Sequence, residues 1–223
     1  MKKVLTFFIK SILAGIMIAV GGTVFLSLDN KVLGAVFFSI GLFMIVTGGL
    51  NLYTGKVGYI FDNKPSYLIE VLTTVVGNFV GTLAVGVLLR FTRIYDAISA
   101  KAAGMCQTKL NDNVISILFL SLMCGMLMYL AVNGYKVISD PVGKYTAVFL
   151  GVIVFILCGF EHSIANMYYF SVSRTWSPKA FGYMGLMILG NACGGVLIPL
   201  CLKAVKKLSV DSSGRRPDSQ QSK

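Results

Sequence analysis

Six long apolar runs constrain the fold of this chain more than any other feature. They cover about residues 4–28, 32–50, 67–91, 114–133, 145–160 and 181–202 of the 223-residue sequence. Most of them reach or approach the roughly 20 apolar residues that a helix needs to cross a bilayer. Charged residues make up only 13% of the chain, whereas they make up about a quarter of a soluble domain. The sequence therefore predicts an all-α integral membrane protein with six spans.

Basic residues are distributed unevenly between the two faces that six spans would create. Thirteen of the 20 lysines and arginines lie on the face that carries both termini, which the positive-inside rule places in the cytoplasm. The first run resembles a signal peptide, but Lys10 interrupts it and no A-x-A cleavage site follows, so we interpret it as a retained span. Because no basic patch lies on a soluble domain, we predict no nucleic-acid partner.

Two sequence features recur at nearly the same interval. The pentapeptides GNFVG (77–81) and GNACG (190–194) are 113 residues apart, and the polar interruptions that begin at Asn51 and Glu161 are 110 residues apart. Inverted repeats with interrupted helices in matching positions are typical of transporters and channels. The alternative is chance recurrence in a chain with 24 glycines, where small residues only pack helices together.

The recurrence predicts the domain organisation. We expect a single transmembrane channel domain over residues 1–206, built from inverted three-helix repeats at about 1–92 and 110–206. The second and fifth helices are broken in this prediction, and the intervening stretch 90–109 is a loop. Residues 207–223 are polar and poor in apolar side chains, so we predict a disordered cytoplasmic tail.

The two interruptions carry the polar residues that call for a functional explanation. Glu161, the only histidine His162, and Asn166 follow the fifth apolar run, and Thr54 lies in the first interruption. Non-helical backbone at membrane depth is tolerated only where protein buries it or where it lines a cavity. Ionisable groups at that depth are functional candidates by default, although His162 could instead be a structural histidine bonded to a backbone carbonyl.

Other chemistry finds no support in the sequence. One histidine cannot form a bis-histidine haem site, and the five cysteines show no metal or redox spacing. P-loop, dinucleotide and Ser-His-Asp patterns are absent. We therefore predict no enzyme, no metal site and no cofactor.

The motifs resemble those of the formate/nitrite transporter family of small-anion channels, which also includes hydrosulfide channels. GFEHSIANM (159–167) resembles the family's fifth-helix signature and NLYTG (51–55) its second-helix loop, while AGIMIAVGG, GNFVG, YLAV and GNACGG also fit. The resemblance covers residues 1–206. It implies an aquaporin-like bundle of six helices with one pore per protomer, assembled as a pentamer in the plasma membrane of a prokaryote.

The resemblance also implies roles for individual residues. His162 is similar to the family's central pore histidine and Thr54 to the loop threonine that bonds to it, with Glu161 and Asn166 beside them. Lys109 resembles a lysine that attracts anions. The apolar constrictions that the resemblance implies are Phe38, Leu42, Leu52 and Phe155.

Three positions depart from the family pattern. Asn51 stands where the loop glutamate is expected, Tyr53 replaces a phenylalanine, and Gly125 aligns with a position that often carries asparagine near the pore. A carboxylate and an amide are thereby lost, and we expect the hydrogen bonds and width of the pore to differ.

These residues predict a channel for small monovalent anions of weak acids, namely formate, nitrite or hydrosulfide. Lys109 at the outer mouth and Lys2 or Lys3 at the inner mouth would concentrate the anion, and His162 would supply a proton or a polarised hydrogen bond. A proton-coupled symporter using the same residues is the alternative. A membrane scaffold whose polar break is purely structural is a more distant one.

Overall fold

The structure, a computed structural model, describes residues 2–212 and the side chains of residues 2–209. This part of the chain contains helices and no strand. The α-helices are α1 Lys2–Ser27, α2 Lys31–Thr47, α3 Tyr53–Lys56, α4 Tyr67–Leu88, α5 Tyr95–Leu110, α6 Val114–Val137, α7 Pro141–Cys158, α8 Ser163–Ser173 and α9 Pro178–Ser212.

The apolar helices match the six apolar runs of the sequence. Five of them, α1, α4, α6, α7 and α9, are long and apolar enough to cross a membrane. The sixth, α2, is equally apolar but has only 17 residues. It is followed by the short α3 and a 3₁₀ turn, Val57–Asp62, just as α7 is followed by the short α8. The predicted breaks in the second and fifth helices are therefore present.

Both breaks begin with the same glycine turn. Gly49 after α2 has φ +59° and Gly159 after α7 has φ +71°, a left-handed conformation that glycine adopts without steric cost. The amide of Leu50 and the amide of Phe160 each donate 2.9 Å back to the carbonyl five residues earlier. This arrangement satisfies a terminal carbonyl and ends a helix, so the two glycines determine where the chain leaves its helical path.

The packing of the two halves also corresponds. α1 packs on α2 and α4, and α6 packs in the same way on α7 and α9. At the centre of these contacts Gly15 lies against the Asn78 backbone, and Gly125 lies against the Asn191 backbone. A Cβ at either glycine would overlap the facing carbonyl, so close approach of the helices excludes any side chain there. Gly125 is thus a helix-contact position.

Two segments differ from the sequence prediction. The stretch 90–109, predicted as a loop, contains helix α5, whose buried Ile98, Ala102 and Cys106 recur every four residues and give it one apolar face for packing on α8. The predicted tail also begins too early, because α9 continues through residues 207–212. No helix breaker occurs there before Gly214. The rest of the predicted tail, 213–223, lies outside the described residues.

Candidate functional site

Two buried asparagines hold the broken backbone in place. The Asn78 side chain accepts from the amide of Tyr53 (2.9 Å) and donates to the carbonyls of Ser11 (2.7 Å) and Asn51 (2.9 Å). Its amide group therefore satisfies two backbone groups of the break after α2, those of Asn51 and Tyr53, and ties the break to the Ser11 carbonyl of α1. Buried backbone groups need such partners, and one side chain supplies them.

Asn191 performs the same task in the second half. It accepts from the amide of Ser163 (2.8 Å) and donates to the carbonyls of Ser121 (2.7 Å) and Glu161 (2.8 Å). Each of these backbone partners lies 110 residues after its counterpart around Asn78. The two GN motifs are thus clamps that bring both breaks to the middle of the bundle.

The clamps bring Thr54 and His162 together at the centre. Thr54 Oγ1 lies 3.0 Å from His162 Nε2, although 108 residues separate them in the chain. Both side chains are almost fully buried. The imidazole also stacks on the Phe155 ring, with 5.4 Å between ring centroids and 22° between planes.

The hydrogen bonds of His162 define its tautomer. His162 caps the N-terminus of α8, and its Nδ1 accepts from the amide of Ala165 at 3.0 Å. An accepting Nδ1 carries no proton, so the neutral ring carries its proton on Nε2 and donates it to Thr54 Oγ1. A second proton would break the Ala165 bond and place a cation at the positive end of the α8 dipole. The geometry therefore favours a neutral imidazole.

Thr54 has hydrogen-bonding capacity left over. Its oxygen accepts from His162, and its own hydroxyl proton has no acceptor within the described part of the chain. A hydroxyl both donates and accepts. The pair therefore leaves one O–H donor at the centre of the bundle.

A charged pair lies beside the histidine. The Lys109 ammonium on α5 donates to both oxygens of the Glu161 carboxylate at 2.8 and 2.6 Å. The side-chain amide of Asn166 also donates to this carboxylate, at 2.7 Å. The Lys109 and Glu161 side chains are 13% and 5% exposed, so the pair is largely out of water. The lysine that the resemblance assigns to attracting anions is therefore neutralised by a carboxylate in this chain.

A cavity of about 510 Å³ reaches this centre from the face of the bundle that carries α5; we call it the wide vestibule. Phe155 and His162 lie among the residues that line it. Its lining also contains three cationic and three anionic side chains: Lys31, Lys101, Lys109, Asp29, Asp112 and Glu161. Their formal charges cancel.

A second cavity of about 250 Å³, the narrow vestibule, opens on the face that carries the N-terminus of α1. Leu52 lies in its lining together with Asn51, and the two vestibules share no lining residue. Its charged lining residues are Lys56 and Lys136, and no carboxylate occurs among the others, which are Ile45, Val46, Gly49, Leu50, Gly55, Val132 and Tyr135.

The four residues that the resemblance assigns to constrictions are all buried, with at most 4% of each exposed. Phe155 faces the wide vestibule and Leu52 the narrow one. Phe38 packs edge-on against Phe155, with 5.9 Å between centroids. Leu42, one turn further along α2, is fully buried, and neither it nor Phe38 lines a vestibule.

Sequence reasoning missed the lysines of the narrow vestibule. Lys2 and Lys3, the expected inner cations, are exposed at the start of α1 and do not line it. Lys56 lies within the NLYTGK interruption, so its position next to Thr54 was a signal that it would be near the pore. Lys136 ends a long span and carries no such signal.

Comparison with known proteins agrees with this architecture. The profile of the family described as "Formate/nitrite transporter" matches residues 1–205. A probable formate transporter of Methanothermobacter thermautotrophicus is 28% identical, and the alignment covers 87% of this chain and 86% of that protein. The formate channel BtFdhC of Bacillus thuringiensis is 30% identical over 74% of this chain and 69% of its own length. The nitrite transporter NirC of Salmonella typhimurium is 25% identical over 86% and 80%.

Solved structures give the same result for the fold. A structure described as a pentameric formate channel with formate bound superposes with a TM-score of 0.77 and 23% identity, covering 93% of this chain and 98% of that one. An ion channel described as a member of the FNT family superposes with a TM-score of 0.73 and 22% identity, covering 87% of each chain. These relatives are transporters and channels, not enzymes. With its apolar helices, its two broken helices and a family match over almost its whole length, this chain is a multi-pass membrane protein of the formate/nitrite transporter family.

Proposed function

We propose that this protein is a membrane channel for small monovalent anions of weak acids, with formate, nitrite and hydrosulfide as the candidate substrates. The observation that carries the proposal is the buried Thr54–His162 pair between two vestibules that approach it from opposite faces. The family match and the formate and nitrite transporters among the relatives support the same class of substrate.

The proposed mechanism starts from the cost of taking an anion out of water. A bare charge at the bilayer centre costs on the order of ten kcal/mol before compensation, and apolar side chains such as Phe155 and Leu52 add no compensation. A weak acid lowers that cost by crossing the apolar layer as its neutral form or by accepting strong hydrogen bonds. Thr54 offers the anion its O–H at this point, polarised by the His162 N–H that it accepts.

The protonation state of His162 determines whether this residue can supply the proton of the neutral acid. A neutral imidazole whose Nδ1 is occupied by the Ala165 amide is a poor donor, because it can lose only the Nε2 proton, which requires an imidazolate. In our proposal His162 therefore orients and polarises Thr54, and the proton of the neutral acid comes from water in a vestibule. In our proposal the permeating anion also interacts electrostatically with the Lys109 ammonium and the Glu161 carboxylate, because this pair lies beside the permeation pathway.

The membrane arrangement in the proposal follows the charge distribution and the relatives. Both termini lie in the cytoplasm of a prokaryote, so the narrow vestibule faces the cytoplasm and the wide vestibule faces outward. Five copies assemble around a common axis, as in the solved pentameric channel that this fold resembles. Each protomer then carries its own pore, because one chain supplies both Thr54 and His162. The domain is residues 1–206 in two inverted halves.

Flux into liposomes tests the proposal. Purified protein is reconstituted, and uptake of formate, nitrite, hydrosulfide, acetate and lactate is followed by stopped-flow light scattering. We expect the three smaller anions to pass faster than acetate and lactate. Thr54→Val removes the O–H donor and should lower the flux at least about tenfold, the loss expected for one hydrogen bond to a charged group. Thr73→Val, at a half-buried threonine of α4 that bonds only within its helix, is the matched control.

Three results would count against parts of the proposal. Absence of anion flux in the wild type would favour the membrane scaffold. Uphill accumulation driven by an imposed pH gradient would show a proton-coupled symporter instead. Unchanged flux in His162→Phe would remove the central histidine from the mechanism.

A further inference from the structure

One face of helix α8 lines the wide vestibule. His162, Ala165, Asn166 and Tyr169 lie in the wall of this cavity at the spacing i, i+3, i+4 and i+7, which places them on the same side of a helix. The proposed function uses His162 to orient Thr54, and it gives the other three no contact with the substrate. The polar atoms of Asn166 and Tyr169 therefore still need an explanation.

The Tyr169 hydroxyl is a hydrogen-bond donor without an acceptor. The neighbouring Tyr168, which is fully buried, shares a hydrogen bond with Thr23 at 2.6 Å, whereas the Tyr169 hydroxyl has no partner among the described residues. Tyr169 is only 5% exposed, yet its hydroxyl is not one of the two completely enclosed side-chain atoms that lack a partner in this part of the chain, Arg90 Nε and Ser163 Oγ. Because Tyr169 lines the wide vestibule, the open side of its hydroxyl faces that cavity.

Asn166 presents the complementary group. Its Nδ2 donates to the Glu161 carboxylate at 2.7 Å and to Met187 Sδ at 3.2 Å, and these two bonds fix the orientation of the amide. The side-chain oxygen, Oδ1, accepts no hydrogen bond within the described part of the chain, and it is not completely enclosed although Asn166 is only 1% exposed. Since Asn166 also lines the wide vestibule, Oδ1 is an acceptor that is open to the cavity.

A donor and an acceptor close together select what can bind between them. A long side chain on a helix leans toward the N-terminus, so the Tyr169 ring extends over the turn that holds Asn166. A formate or nitrite anion only accepts hydrogen bonds, so it can use the Tyr169 O–H but meets a second acceptor in Asn166 Oδ1. The Lys109 ammonium, which would favour an anion, already donates to both oxygens of Glu161. The protonated acid has both an acceptor and an O–H donor, and it therefore matches both groups.

We propose that Tyr169 and Asn166 form a binding subsite in the wide vestibule for the uncharged form of the weak acid. The carbonyl of the acid accepts from the Tyr169 hydroxyl, and its O–H donates to Asn166 Oδ1. The identity of the acid rests on the proposed function, but the same two groups bind any small uncharged molecule that has a carbonyl next to an O–H or N–H. An acid bound there already carries its proton when it reaches Phe155 and the apolar layer.

Formamide is the probe, because it places a carbonyl next to N–H donors and carries no charge. Its binding to the detergent-solubilised protein is measured by saturation-transfer difference NMR on the formyl proton, which detects weak ligands and needs no transport. We expect formamide to bind, and acetamide, which has no formyl proton, to displace it. Sodium formate at pH 7 is almost entirely the anion, so it should displace formamide about fivefold less effectively than acetamide, the factor expected for one neutral hydrogen bond.

Matched changes in the protein and in the ligand test the two hydrogen bonds separately. Tyr169→Phe removes only an O–H that bonds to no other described group, so we expect about fivefold weaker formamide binding and unchanged stability to denaturant. Tyr145→Phe, at a tyrosine of α7 that lines neither vestibule, is the control and should bind formamide like the wild type. N,N-dimethylformamide keeps the carbonyl but has no N–H for Asn166, and it should bind the wild type about fivefold more weakly than formamide.

Flux in proteoliposomes connects the subsite to transport. Formamide should inhibit formate flux in the wild type, and about fivefold more formamide should be needed in Tyr169→Phe. Unchanged formamide binding in Tyr169→Phe, equal binding of N,N-dimethylformamide, or displacement by sodium formate that equals displacement by acetamide would each overturn the inference. If the wild type binds formamide as expected but carries no formate, the proposed function fails and the subsite stands. If it carries formate but does not bind formamide, the subsite fails and the channel stands.

Discussion

The Lys109–Glu161 pair gives the sharpest prediction about what holds the site together. Lys109→Met removes the ammonium and keeps most of the side-chain volume, so a carboxylate that is only 5% exposed is left with the Asn166 amide as its remaining side-chain partner. Removing one member of a buried ion pair costs about 3–5 kcal/mol of folding free energy, because the other charge stays buried without its partner. We therefore expect Lys109→Met to destabilise the protein by about 3–5 kcal/mol at pH 7.

The measurement is denaturant unfolding in detergent micelles at fixed protein concentration. Trp176, the only tryptophan, stacks on Phe181 with 4.6 Å between centroids, so its fluorescence reports the packing of α8 against α9. Lys109→Met/Glu161→Gln removes both charges and should recover stability to within about 1.5 kcal/mol of the wild type. Lys101→Met on the same helix is the matched control: its ion-pair partner Asp29 is fully exposed and its other hydrogen bond goes to the neutral Leu28 carbonyl, so no buried charge is left unpaired and we expect a loss of at most about 2 kcal/mol.

Two results would refute the reasoning. A loss of less than 1 kcal/mol in Lys109→Met would mean that the pair behaves like a solvated surface contact. A double variant no more stable than Lys109→Met would mean that lost packing of the lysine side chain, and not an unpaired charge, is responsible for the loss.

Three further predictions concern the breaks and the entrance. Asn191→Leu leaves the Glu161 carbonyl and the Ser163 amide of the second break unpaired and removes the hydrogen bond to the Ser121 carbonyl of α6, so we expect a loss of about 3 kcal/mol or more in the same unfolding assay; a loss below 1 kcal/mol would contradict the clamp. Gly125→Asn should prevent correct assembly, seen as aggregation in gel filtration, because a side chain there meets the Asn191 backbone, whereas Gly104→Asn faces open space and should elute like the wild type. Phe155→Ala should raise lactate flux relative to formate flux by opening the inner end of the wide vestibule, and an unchanged ratio would mean that Phe155 does not limit anion size.

Local sequence pattern was sufficient for the membrane fold and for the positions of its breaks. Continuous apolar runs specify spans because a helix is the structure that satisfies every backbone group within one segment in lipid. Gly49 and Gly159 fell at the ends of the predicted runs 32–50 and 145–160, and the structure shows that they end the helices, since glycine takes the left-handed turn without cost. The sequence pattern did not predict helix α5, because the stretch 90–109 is polar and only weakly periodic. Such a stretch cannot be distinguished from a loop until a partner helix buries one of its faces.

The sequence by itself determined that the chain enters a membrane, that its second and fifth helices are interrupted, and that the interruptions carry the polar side chains of Thr54, Glu161 and His162. Only the tertiary structure decided which of these groups meet. It brings Thr54 into hydrogen-bonding distance of His162, 108 residues away, and pairs Glu161 with Lys109. It also places Lys56 and Lys136 in the lining of a vestibule that contains no carboxylate. The physical reason is range: hydrophobicity and glycine turns act within one segment, whereas hydrogen bonds and charge balance depend on which distant segments the packed helices bring together.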